Sequence, residues 1–152
     1  MRDTAGVLAP PPLIFGVPLL LALFLERVFP MNLLAGRSIV LAGRILVAAA
    51  VLLAVWAIST FRRAGTSPKP TAPTTSLVAT GPYRFSRNPM YVSLTLLYVG
   101  ISLWARAAWP LFFLPSVLLT IQIGVVDREE RYLEAKFGEE YGRFKARVGR
   151  WI

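Results

Sequence analysis

Cysteine and histidine are both missing from these 152 residues. Without cysteine there is no disulfide framework and no thiolate nucleophile. Without histidine the commonest general base and metal ligand is gone, and a serine triad lacks its central member. Charge is scarce too: 16% of the chain, against roughly 25% in ordinary soluble domains. Acids are fewest, 8 against 17 Lys and Arg, for a net charge of +9. That balance can mark a nucleic-acid protein, but here the basic residues fall between apolar segments and not along one exposed face. Attraction to anionic lipid and the positive-inside bias account for them, and no nucleic-acid partner is expected. No GxGxxG follows a strand pattern and no Walker loop occurs, so neither nucleotide motif is supported. No spaced set of acids suits a metal, and none is expected.

What the chain has instead is apolar length. Hydrophobic residues make up 55%, gathered in charge-free runs. They predict an all-α integral membrane protein, a single domain over 1–152, with four transmembrane helices near residues 7–29, 40–61, 88–105 and 107–126. Each run is near the roughly 20 residues that cross a hydrocarbon core. The first follows Pro10-Pro11-Pro12 and carries a kink-prone Pro18; no small-residue cleavage pattern follows it, so it reads as a span and not a leader. Pro110 and Pro115 are expected to bend the fourth helix or delay its start.

Orientation follows from Lys and Arg. The segment between the second and third spans carries Arg62, Arg63, Lys69, Arg84 and Arg87 and no acid, and the tail 127–152 carries seven more basic residues. The other side has Arg27, Arg37, Arg44 and Arg106. Both termini, the central loop and the tail therefore belong on the cytoplasmic side, of the inner or plasma membrane if the source is bacterial. The short link at Arg106 makes the last two spans a hairpin with the loop and tail at its open mouth. Gly65–Ser76 is a loop by composition. In the tail, DREERYLEAKF continues the fourth helix, Gly138 offers a left-handed stop, and EEYGRFKARV begins a further helix with an apolar stripe at Tyr141, Phe144 and Val148.

Two polar patches flank that hairpin. The first, LVATGPYRFSRNPMY from Leu77 to Tyr91, packs arginines, tyrosines, a Gly-Pro turn and an Asn-Pro step into fifteen residues at membrane-interface depth. Pro89 suits the first turn of a helix, whose unpaired N–H groups would face the loop. Arg84 and Arg87 add forked donors suited to a carboxylate or phosphate. In the second patch Asp127, Glu130 and Glu134 share one helical face. Interface anchoring explains any one of the loop residues alone, and solvated ion pairs explain Glu134, Glu139 and Glu140. Glu130, nearest the hairpin mouth among the paired acids, is the better functional candidate.

GPYRFSRNPMY, a hydrophobic hairpin and then EERYLEAKFGEEYGRFKARV resemble the isoprenylcysteine carboxyl methyltransferase family and its phospholipid methyltransferase relatives, over about Arg63 to Ile152. AGTSPKP and LVATGPYR resemble its small bacterial branch. The resemblance implies an S-adenosylmethionine-dependent membrane methyltransferase. It further implies a lipophilic acceptor (carboxylate, amine, phenol or thiol) entering from the bilayer, and S-adenosylhomocysteine as product. Tyr83, Arg87, Asn88, Pro89 and Tyr91 match the first motif; Glu129, Glu130, Tyr141 and Arg147 match the second. All nine are candidates for holding the cofactor, with Arg87 and Glu130 the catalytic candidates. Arg87 or Arg147 would hold a carboxylate, Glu130 would face the amino or sulfonium end, and Tyr83 and Tyr91 would line the pocket. Many members have histidine where Asn88 stands, and the prenylcysteine branch usually has proline where Gly149 stands. The alternatives are an NADPH-dependent reductase similar to membrane sterol reductases, which carry a like Arg-x-Pro-x-Tyr string, and a non-catalytic protein of the same fold.

Overall fold

The computed structural model describes residues 4–68, 72 and 74–152; Arg2 and Lys69, both counted among the basic residues, lie outside them. The described residues contain helices and no strand. They are α1 (Pro11–Val28), α2 (Arg37–Arg63), α3 (Pro89–Trp104), α4 (Trp109–Ile121), α5 (Asp127–Phe137) and α6 (Glu139–Arg147). A π turn, Gln122–Val126, joins α4 to α5 without a break, and a 3-10 turn, Gly81–Arg84, precedes α3. Three helical runs are long and apolar enough to cross a membrane: α1, α2 and the continuous Trp109–Phe137. Helix α3 is shorter, at 16 residues, and is apolar. Large side chains such as Leu20, Phe24, Leu52 and Phe112 point outward from these helices, as a lipid environment requires.

Prolines set the starts. Pro11, Pro89 and Pro110 all sit in a first turn, where a missing N–H costs nothing. Helix α4 begins two residues later than expected, at Trp109. Its first N–H groups are satisfied from another helix: the Glu26 carboxylate near the end of α1 accepts from Ala108 N (2.7 Å) and Trp109 N (3.2 Å), and also from Met31 N (2.8 Å). One acid thus ties the far ends of α1 and α4 together and fills the role of an absent N-cap.

The centre of the molecule is the α2–α3 crossing. Gly43, Ala50 and Ala57 recur every seven residues along the buried face of α2, and Ser93 and Gly100 do the same on α3. A Cβ on Gly43 would stand 2.7 Å from the Gly100 carbonyl oxygen and would run into the Trp104 backbone. Small residues let the two backbones meet, the usual way helices associate in lipid where no hydrophobic force drives them together. This crossing delivers the end of α2, with Trp56, Thr60 and Phe61, to the polar stretch. Gly81, at φ +59, tucks its backbone against Thr60 and Trp56, and the Phe61 ring meets Tyr83 edge-on at 5.0 Å.

The tail folds as the composition predicts up to a point. Gly138 adopts φ +50 between α5 and α6, and Tyr141 and Phe144 turn inward. The π turn has no counterpart in the expected plain continuation of the fourth helix. Across it the buried positions shift by one, from Val117, Ile121 and Val125 to Val126 and Glu130.

Candidate functional site

The 3-10 turn, the start of α3, the first turns of α5 and the stripe of α6 close around one cavity. It holds about 100 Å³. Seven of the nine candidate residues line it: Tyr83, Arg87, Asn88, Tyr91, Glu129, Glu130 and Tyr141. Pro89 does not; it is fully buried at the start of α3 and orients its neighbours.

At the heart of the site is a buried charge cluster. Arg87 and Glu130 pair at 2.9 Å, each side chain 8% exposed. Arg87 also donates to the Tyr141 hydroxyl at 3.3 Å. Arg150 reaches the same carboxylate through two bonds, Nε to Oε1 at 3.0 Å and Nη2 to Oε2 at 2.7 Å. Two guanidiniums therefore share one buried acid, with Asp127 3.4 Å from Arg150. Among the described residues none accepts a hydrogen bond from the buried Arg87 Nε. Such an unsatisfied buried group is uncommon.

Glu129 faces a different environment. Tyr91 donates to its Oε2 at 2.9 Å. It lies on α5, past the apolar part of the long helix. Its carboxyl is pushed up to about 7, chiefly by burial, with the Tyr91 hydrogen bond opposing the rise and neighbouring Glu130 adding a smaller part of it. Two adjacent acids thus differ: Glu130 is paired with two arginines, and Glu129 is bonded to a tyrosine and raised to about 7. Burial, aided by Glu129, also raises Tyr83 and keeps it a neutral phenol.

Arg147 is not brought to the cavity. It falls roughly a quarter turn off the Tyr141–Phe144 stripe, is exposed, and donates to the Arg143 carbonyl one turn back. The tail arginine that reaches Glu130 is Arg150. The segment after α6 turns back so that Gly149 accepts from Arg87 N at 3.0 Å and the Arg150 carbonyl accepts from Asn88 Nδ2 at 2.9 Å. Glu134 and Glu139 make exposed pairs with Lys145 and Arg143, away from the cluster. Sequence reasoning also passed over Phe61, Met90, Leu133 and Phe144, which supply the apolar wall. For Phe144 the helical stripe was the available signal; Phe61 gave none beyond its place at the end of a hydrophobic run.

The sequence profile of the phospholipid methyltransferase family matches residues 38–140, about two thirds of the chain. The match takes in α2, the polar stretch, the hairpin and all of α5. A Haemophilus influenzae protein, described only as uncharacterized, is 40% identical over 63 residues, which are 41% of this chain and the whole of that protein. No solved structure matches. With the profile covering more than half of its length, the chain belongs to the phospholipid methyltransferase family.

Proposed function

We propose that this protein transfers the methyl group of S-adenosylmethionine to a lipophilic acceptor drawn from the bilayer. In this reading four helices span the membrane, with the loop, the tail and the reaction site on the cytoplasmic side, where the basic residues gather. Family membership supports methyl transfer in a membrane and favours it over the reductase alternative. The observation that carries the finer reading is the mixed set of groups lining one cavity: a buried arginine, two carboxylates in unlike surroundings and four tyrosines.

That set fits the cofactor's chemistry. Arg87 would hold its carboxylate. Glu129, when ionised, would face the ammonium and sulfonium charges, and Tyr83, Tyr91 and Tyr141 would present ring faces to the cation. When bound, S-adenosylmethionine supplies a methyl group already activated on sulfur, so the protein's task is alignment and exclusion of water. Asn88 is tied to the Arg150 carbonyl and serves position rather than proton transfer. A carboxylate acceptor needs no general base, which suits a site without histidine. Drug-sized ligands occupy roughly 300–1,000 Å³; a cavity of about 100 Å³ must therefore widen on loading, by outward movement of the segments that cover it.

The test is calorimetry on the detergent-solubilised chain with S-adenosylhomocysteine, and NADPH as the competing ligand. Binding of the first alone is expected. Its affinity should rise between pH 6 and pH 8 by up to about tenfold, as Glu129 loses its proton near 7. The rise should vanish in Glu129→Gln. Stability should move the other way. The carboxyl is raised from 4.5 in the unfolded chain to about 7 in the folded one, so the folded state holds a proton that the unfolded state releases. The contribution is complete at pH values below 4.5 and is lost as pH climbs through 7. Binding of NADPH instead, or a pH-independent affinity for S-adenosylhomocysteine, contradicts the reading.

A further inference from the structure

Glu130 is inside only because the helix carrying it is interrupted. In an unbroken α-helix Glu130 would lie roughly 180° around the axis from buried Ile121, and Arg128 would take Ile121's line. The π turn absorbs the extra residue, and such turns gather at functional sites. Arg128, displaced sideways, donates instead to the Gly6 carbonyl at 2.8 Å, and the Gly124 carbonyl accepts Leu8 N at 3.0 Å. The segment before α1 is thus strapped across the turn.

Gln122 opens the π turn and connects it to the tail. Its Nε2 donates to Asp127 Oδ1 at 2.7 Å, a five-residue step that matches the π spacing, and its Oε1 accepts from Trp151 Nε1 at 3.1 Å. Indole only donates and carboxylate only accepts, so this amide orientation alone satisfies both. Asp127 lies 3.4 Å from Arg150, and Trp151 follows Arg150 in the chain. The amide therefore holds both the acid that flanks Arg150 and the residue that follows it. Gln122 and Trp151 also line an apolar groove of about 600 Å³ between α3 and α4, on the other side of the same contact.

We propose that Gln122 is a positioning residue: through Asp127 and Trp151 it sets the closure of Arg150 onto Glu130, and so the shape of the site for the methyl donor. The consequence for ligand affinity rests on the function proposed above; the consequence for the tail does not. Two readouts on the full chain in detergent separate them. Hydrogen exchange of the Arg87 amide, whose acceptor is the Gly149 carbonyl, reports tail attachment with no ligand present. Calorimetry with S-adenosylhomocysteine reports the site. Gln122→Leu keeps the side-chain size and should speed Arg87 exchange and weaken binding, each by about tenfold, the effect of losing a hydrogen-bonded link. Trp151→Phe removes only the indole N–H and leaves the Asp127–Arg150 pair at 3.4 Å in place; it should speed Arg87 exchange by about threefold, and Gln122→Leu added to it should cost less than Gln122→Leu does in the native chain. Unchanged exchange in Gln122→Leu overturns the proposal, as do effects of Gln122→Leu and Trp151→Phe that simply add. A native chain that fails to bind S-adenosylhomocysteine, with exchange behaving as stated, overturns the donor assignment and leaves the positioning role standing.

Discussion

Replacing Glu130 with glutamine should cost more stability than removing either arginine that it holds. Glu130 is 6% exposed and is the shared counter-charge for Arg87 and Arg150. Its neutralisation leaves two guanidiniums facing each other across a buried space, and breaking a buried pair from one side typically costs about 3–5 kcal/mol. Arg150 is 38% exposed, so solvent screens its share and the lower end of that range is expected. Arg87→Met removes one cation but leaves Glu130 bonded twice to Arg150, and should cost about half as much. The double variant Glu130→Gln with Arg87→Met should be more stable than Glu130→Gln alone, because the like-charge contact is gone. Both single variants should lower S-adenosylhomocysteine affinity by about a hundredfold or more, as expected when charge-assisted bonds are lost. Thermal unfolding in one detergent and calorimetry on the same samples check the order. An Arg87→Met variant less stable than Glu130→Gln would contradict it.

The second large effect lies far from the charges. Gly43→Ala adds one methyl group, and that group meets backbone on α3 rather than a side chain that can rotate away. Overpacking against an unyielding surface costs about 1–3 kcal/mol and occasionally more, so a loss of about 3 kcal/mol is expected. Gly16→Ala is the control: the same chemical change in α1, with nothing within 4 Å of the added carbon. Alanine is the better helix former, so this variant should gain about 0.5–1 kcal/mol. Opposite signs for one substitution, read by thermal unfolding, separate helix propensity from helix crossing. Gly43→Ala should also weaken ligand binding, since α2 brings Phe61 to the Tyr83 ring. Equal shifts at both glycines would mean that α2 and α3 do not cross as closely as described.

Much of the candidate site's placement was legible because its parts are local. Pro89 after Asn88 fixed where α3 begins, Gly138 fixed the break in the tail, and a short link at Arg106 brought two patches some forty residues apart to one end of a hairpin. Residues whose placement depends on distant packing were not legible. The π turn lies against the segment before α1, and no composition signal in QIGVV announces it. Arg147 carries the motif likeness, yet Arg150 makes the contact, because the chain reverses after Val148 and only Gly149 hints at a turn. Phe61 reads as one more apolar residue until the Gly43–Gly100 crossing sets where α2 ends. That seven-residue rhythm of small side chains was in plain view, but its partner on α3 is needed to give it meaning.

The central claim is that the loop and tail together hold a methyl donor beside the bilayer. Its most direct measurement is transfer of label from methyl-labelled S-adenosylmethionine in membranes carrying this protein. Label should pass into lipid-extractable material with the native chain and fall to background with Glu130→Gln. Label that stays wholly in the aqueous phase, or that reaches lipid equally with both chains, would contradict the account.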